Sequence, residues 1–232
     1  MPREKLTREQ IVQAAVAVLD AEGVDGLNVR RLGAELGMAS TAMYWHVKNK
    51  DDLVVLAGDH VWREIELPDP ADLGWRAAAA AVAASTHAMI SRHFWLVSTM
   101  STHLIYGPGK ARVDDHCLGI YETAGFSRQG ADQAAATMLM FVIGAAQGAA
   151  SERAWEARLR RTGADHEQEL RDTIDQVNGV AQGFPRLRDR LLTTNPEASS
   201  PEDDPFQFGL RALLDGLEAR LTTGSGRSQP SS

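Results

Sequence analysis

Histidine, cysteine and carboxylate side chains are the usual agents of catalysis and metal binding, and this chain spaces them in ways that serve neither. Of its 7 histidines, the ones that invite such a reading are His87, His93, His103 and His116 in the C-terminal part. His87 and His93 stand six apart, not at the four-residue spacing that puts two imidazoles on one helix face, and no glutamate completes a His-Glu-x-x-His run. The single cysteine, Cys117, follows His116 directly, but adjacency in sequence does not make a nucleophile and its base. There is no phosphate-cradling P-loop, no Gly-x-Ser-x-Gly elbow and no Cys-x-x-Cys pair. The chain reads as a non-enzyme, with no catalytic residue, no resident metal and no cofactor.

The chemistry left is that of charge and surface. Between residues 26 and 50, Arg30, Arg31, Lys48 and Lys50 outweigh Glu35, a balance of +3. Residues 1 to 8 add Arg3, Lys5 and Arg8 against Glu4, a balance of +2. Residues 51 to 72 then hold seven acids against Arg63, a balance of −6, and the whole chain carries −7. A protein that coats nucleic acid is basic throughout, so any contact with a duplex must be a local patch, and the acidic remainder is repelled from it.

The elements that must present this patch are helices. Thr7-Arg8-Glu9-Gln10 is a capping box that starts a first helix, Ile11, Ala14, Ala15, Val18 and Leu19 form its apolar stripe, and Gly23 closes it. Asn28 caps a second helix over about 29–36, and Gly37 ends it. Ser40 starts a third, over about 41–47, and a fourth begins near Lys50 and is stopped by Pro68 and Pro70. The second and third helices, joined by Gly37-Met38-Ala39, form a helix-turn-helix pattern. The third presents Ser40, Thr41, Tyr44 and His46 on accessible faces, with Lys48 at its end, as a helix entering the major groove requires.

Beyond residue 70 the helical signals continue without strand signals, so the fold class is all-α. Helices are expected over about 72–91, 94–104, 110–123, 128–160, 165–180 and 206–221, with a long loop over 182–205, where Pro185, Pro196, Pro201 and Pro205 fall. The domains expected are a DNA-binding head over 1–67, a sensing and dimerising body over 70–222, and a disordered tail over 223–232. The 232 residues, 44% apolar and 24% charged, suffice for a sizeable core and exclude a largely disordered chain. One cysteine allows no intrachain disulfide, and the polar start shows no signal peptide; both point to the cytoplasm. Gln133–Ser151 is 19 residues without a charge, long enough to span a bilayer, but its alanines, glycines and glutamines suit a buried central helix, and no membrane partner is expected.

The string Leu32-Gly33-Ala34-Glu35-Leu36-Gly37, followed by Met43-Tyr44-Trp45-His46-Val47-Lys48-Asn49-Lys50, resembles the DNA-binding domain of the tetracycline-repressor family. The match is strong over about 6–65. Past residue 70 the helix layout, Ala124-Gly125-Phe126 and Phe208-Gly209-Leu210 are similar to the C-terminal domain of the tetracycline-repressor class. The resemblance implies that Arg30 reads a base, as an arginine fork suits guanine. It implies that Thr41, Tyr44 and His46 touch phosphates or bases, that Lys50 holds the backbone, and that Trp45 and Val47 face the head's own core. Ser40-Thr41-Ala42 departs from the Gln-Pro-Thr run of tetracycline-responsive members, which implies a different operator. Glu66 stands where those members have a tetracycline-contacting histidine, and the surroundings of His103 depart from their magnesium-binding segment, so no magnesium–tetracycline site is implied.

Aromatic and thioether side chains in the middle helices suggest a pocket for a small, largely apolar effector: Phe94, Trp95, Met100, Tyr106, Met138, Phe141 and Trp155, with His87, His103, Gln147 and Asn178 as polar anchors. Gly144 and Gly148, one turn apart, and Leu213 and Leu217 on the last helix are expected to build a homodimer interface. The expected function is a repressor that binds a palindromic double-stranded operator and is released by its effector. Two alternatives stay open on the sequence: a DNA-binding regulator without an effector, and a helical enzyme or scaffold that does not bind DNA.

Overall fold

The computed structural model describes residues 7–38, 40–162, 166–193 and 204–225, and these are helical, with no strand among them. The first helix, α1 (Arg8–Gly26), starts as its capping box dictates: the Gln10 amide donates to the Thr7 hydroxyl at 3.2 Å and the Thr7 amide donates to the Gln10 side chain at 2.8 Å. Gly23, at φ 70° and ψ −176°, breaks its helical path three residues before its end. Asn28 caps α2 (Val29–Glu35), accepting from the amides of Arg30 and Arg31 at 3.0 and 3.1 Å. The short α3 (Ser40–Met43) follows. Asn49 then caps α4 (Lys50–Val61), which runs into a 3-10 turn, Trp62–Glu64. The fourth helix thus ends before Pro68 and Pro70.

The body comprises α5 (Pro70–Leu73), α6 (Trp75–Arg92), α7 (Trp95–Met100), α8 (Pro108–Thr123), α9 (Arg128–Thr162), α10 (His166–Gln182), α11 (Pro185–Thr193) and α12 (Pro205–Ser225). The loop expected over 182–205 is corrected by α11. Pro185 begins that helix at its first position, where the missing N–H costs nothing, and arginines and leucines then continue it. Pro196 and Pro201 lie outside the described residues, as do Arg3 and Lys5. The tail expected over 223–232 begins inside α12, which continues to Ser225, and its remainder lies outside the described residues.

The uncharged stretch lies on α9, which by length and composition could cross a membrane. Here it is the central helix of the body and packs on α1, α6, α8 and α12. Its buried stripe is Ala131, Ala134, Met138, Val142, Ala146 and Ala150, spaced three and four apart. One continuous core runs from Ile11 and Leu19 of α1, through Leu53 and Ala57 of α4, to Ile90 of α6 and Ile120 of α8.

Head and body are joined at α4. Asp59 is buried and accepts from the amides of Gly109 and Lys110, at 3.1 and 3.0 Å, so a side chain of α4 caps the N-terminus of α8. The approach is close: a Cβ at Gly109 would lie 2.1 Å from the Asp59 carbonyl oxygen. Replacing Asp59 by alanine strands two buried donors. We expect D59A to lose about 2–4 kcal/mol of stability, measured by urea unfolding, from the cost of leaving buried polar groups unpaired.

Candidate nucleic-acid interface and ligand cavity

In the helix-turn-helix, α2 and α3 lie close because Gly33 has no side chain; a Cβ there would lie 2.7 Å from Met43 Cγ. Gly37, at φ 67°, makes the turn. After Met43 the helix tightens: His46 donates to the Met43 carbonyl at 2.9 Å, and Val47 donates to it at 3.1 Å. The third helix is therefore a single turn followed by tight turns, shorter than the stretch 41–47 expected. Met43 and Val47 are fully buried and anchor it to the head's core. Trp45 was expected inside with Val47, but it is 87% exposed. The reason is geometric: Met43 and Val47, four apart, take the core face, and the residue between them turns outward.

The surface so built carries Tyr44, exposed, and His46, half-buried, with Lys48 exposed and Lys50 half-buried just beyond. The backbone of α3 begins at Ser40 and Thr41. Arg30 is exposed on α2. Its neighbour Arg31 is occupied, paired with Glu22 of α1 and, at 3.2 Å, with Glu35. The Lys48 amide donates to Asp52 at 2.9 Å and the Asp52 amide to Asn49 at 2.7 Å, which fixes the start of α4 and the position of Lys50.

The body holds a cavity of about 390 Å³. One wall is α6, with Ala79, Val82, Ala83 and Thr86. A second is α8, with Lys110, Val113, Asp114, Cys117, Ile120 and Tyr121. Met138, Leu139 and Val142 of α9 belong to the third, and Trp62 and Tyr106 add to the lining. Its charged groups are few. The Lys110 ammonium pairs with Asp114 and stands 4.8 Å from the centre of the Trp62 ring. Asp132 lines it from the start of α9. Burial, assisted by the charge of Asp114, pushes the Cys117 thiol up to about 11, and burial likewise raises the Tyr121 phenol.

Of the expected pocket residues, Tyr106 and Met138 line this cavity. The others lie elsewhere. His87 stacks on Phe206 at 4.0 Å, and Phe141 stacks on the same ring at 5.6 Å. Phe94 is buried where α1 meets the body, its ring 3.7 Å from the position of a Cβ on Gly23. Met100 is partly buried against the core on α7. His103 faces the head, its Nε2 3.4 Å from Asp51. Gln147 is exposed on α9. The α8 wall was missed, although Val113, Cys117, Ile120 and Tyr121 recur at helical spacing.

Among the described residues no group of three or more His, Cys, Asp or Glu comes together as a metal site requires. Gly144 and Gly148 are exposed, and a Cβ on either would meet nothing within 4 Å. Leu217, expected at an interface, is 8% exposed and belongs to the chain's own core, with Leu213 half-buried against it. The apolar stripe of α12 is turned inward, onto α6 and α9.

Residues 67–221 match the family described as tetracyclin repressor-like, C-terminal domain, and residues 11–57 match the bacterial regulatory proteins of the tetR family. The chain belongs to the tetracycline-repressor family. It is 34% identical to the transcriptional repressor DrrR1 of Streptomyces coeruleorubidus, over 99% of this chain and 83% of that protein. It is 29% identical to the class A tetracycline repressor of Escherichia coli, over 93% of this chain and 92% of that one. The structure of ActR from Streptomyces coelicolor in complex with actinorhodin is similar, with a TM-score of 0.71 and 27% identity over 93% of this chain and 97% of that chain. Members of this family are transcriptional regulators, not enzymes, and carry a DNA-binding helix-turn-helix.

A thiol held near 11 is almost wholly protonated at pH 8, and protonated thiols are poor nucleophiles. Ellman's reagent is expected to label Cys117 of the folded protein at pH 8 far more slowly than after unfolding in guanidinium. A compound seated in the cavity should slow it further.

Proposed function

We propose that this family member is a ligand-released repressor. It binds a near-palindromic operator as a homodimer and leaves it when a small, largely apolar or aromatic compound enters the body. One observation carries the reading: the cavity and the head meet at the same joint. Trp62 and Lys110 stand in the cavity wall, and Asp59, one turn before Trp62 on α4, holds the amide of Lys110. A compound that displaces α8 must displace α4, and with it the helix-turn-helix. Coupling of this kind typically amounts to about 1–3 kcal/mol.

The cavity's size is within the range of small-molecule sites, and its walls are mainly aliphatic and aromatic. It favours an effector-responsive regulator over one whose body is packed solid. ActR, solved with actinorhodin, supports an organic effector for a body of this kind. Chelated magnesium is not required on this reading, because His103 faces Asp51 of α4 rather than the cavity. Arg30, Ser40, Thr41, Tyr44, His46, Lys48 and Lys50 contact the duplex, and exposed Trp45 joins them. The two heads meet successive major grooves about 34–36 Å apart.

Dimerisation on this reading uses the faces that a single chain leaves open. Ala136, Met140, Gly144 and Gly148 are exposed along one side of α9, and Phe208, Ala212 and Gly216 along one side of α12. These stripes pair across a two-fold axis into a four-helix interface. The exposed apolar face of α10 and α11, with Val177, Val180, Phe184 and Leu187, continues that interface onto the partner copy.

A duplex selected by the protein from a randomised pool supplies the probe for two tests. R30A is expected to weaken specific binding by about 1–3 kcal/mol and to relax one base position per half-site, whereas K50A should weaken all sequences alike and flatten the salt dependence. Unchanged affinity in both variants at fixed salt would remove the assignment. Titrating the bound duplex with planar aromatic compounds, with and without a metal chelator, tests release; release only with magnesium would refute the metal-free reading.

The interface is tested by Gly144→Leu and Gly148→Leu. Nothing in the single chain opposes either side chain, so the helix content should stay as it was while light scattering shows a shift from dimer to monomer and the melting temperature falls by what the partner contributed. A stable monomer in the unmutated protein at micromolar concentration would contradict the dimer.

A further inference from the structure

A second joint between head and body lies at the turn between α6 and α7. His93 is 3% exposed. Its Nδ1 lies 2.7 Å from Asp20 of α1, and its Nε2 lies 3.1 and 3.2 Å from the two carboxylate oxygens of Glu64 in the 3-10 turn. A neutral imidazole has one N–H and can satisfy one carboxylate; its other nitrogen would turn a lone pair toward the second. Only the imidazolium donates to both. The surroundings hold both acceptors in place. Arg92 of α6 donates to Glu64 at 2.6 Å and, with His93, holds that carboxyl below its ordinary range against the effect of burial. The Trp95 indole of α7 donates to the Asp20 oxygen that also faces His93, at 2.7 Å. From α9, Arg153 donates to the Ser91 carbonyl at 2.7 Å, and Arg161 pairs with Asp25 at 3.2 Å.

We propose that His93, carried as the imidazolium between Asp20 and Glu64, is a charge clasp that fixes the DNA-reading head to the body, and that its loss of a proton on the alkaline side loosens the head. The clasp binds two separate parts of the head, α1 and the end of α4, to one turn of the body. Burial alone would lower the basicity of this imidazole; the bonds and charges of Asp20 and Glu64 outweigh it and raise it. A group raised in the folded state contributes stability that is whole below its unfolded value and is lost as pH rises through its folded value. The clasp is therefore closed below the ordinary imidazole value and opens as pH rises above it. An open clasp leaves the head to be ordered at the moment of DNA binding, which weakens binding. The operator half of this inference rests on the head being the DNA-binding unit.

The test combines a titration, a stability comparison and a binding profile. His93 ring resonances in the whole protein should titrate above the ordinary imidazole value, and in D20N, which keeps the shape and removes one charge, the midpoint should fall. The melting temperature of the wild type should exceed that of H93Q at mildly acidic pH, and the gap should close as pH rises through the His93 midpoint into the alkaline range. With the selected duplex, wild-type affinity should fall several-fold over the same range, and H93Q, already weakened, should fall much less. Titration of His93 at or below the ordinary value, or a stability gap constant with pH, overturns the clasp. An alkaline fall shared equally by wild type and H93Q overturns its control of DNA binding. Should H93Q fail to fold, the D20N midpoint decides alone. A clasp that titrates as expected in a protein that selects no duplex would confirm the clasp and refute the DNA-binding reading.

Discussion

The geometry of this protein depends on a buried carboxylate. Asp59 is excluded from water and has to be satisfied, and the acceptable donors are the first amides of α8. This fixes where α4 ends and where α8 begins. Trp62, one turn further along, is thereby set against the cavity and under the Lys110 ammonium. The head's last helix is consequently also a helix of the body, with Ile105 packed against Gly58 on the same side. The division near residue 67 that a run of prolines suggests is a boundary in sequence more than in packing, since one apolar core crosses it.

Much of the head was legible because its signals are local. The capping box at Thr7, the cap at Asn28 and the turn at Gly37 act within a few residues, and the structure uses each as expected. Trp45 was misread because an indole looks like core material until the register is known, and Met43 and Val47 set that register. The body's cavity was less legible. Its walls come from residues 62, 79–86, 106–121 and 132–142, and no local pattern says which apolar stripes face a void and which face each other. Phe141 and Phe94 looked like pocket residues by type, yet one stacks on Phe206 and the other seals α1 against the body. Leu217 follows the apolar period of α12, and within the single chain that period is spent on the chain's own core.

Charge is organised as tightly as packing. A net −7 chain that must approach a polyanion cannot waste its cations or misplace its acids. Arg31 is neutralised by Glu22 and Glu35 and ties α2 to α1, while Arg30 beside it stays exposed. Asp52, at the N-terminus of α4, accepts from the Lys48 amide, so its negative charge serves a helix start beside the patch. Glu64 and Asp20 are turned onto His93, and their charge is spent there.

The cavity owes its volume to small side chains as much as to large ones. Ala79 and Ala83 on α6 and Ala135 on α9 all stand in its wall. An alanine codon becomes a valine, threonine or serine codon by one base change, and each such change trims the space or adds a hydroxyl without disturbing a helix cap, the Asp59 contact or the reading surface. On the proposed reading, lineages carrying this chain can diverge in the compounds they answer to while keeping the same operator, through single steps that selection can test one at a time.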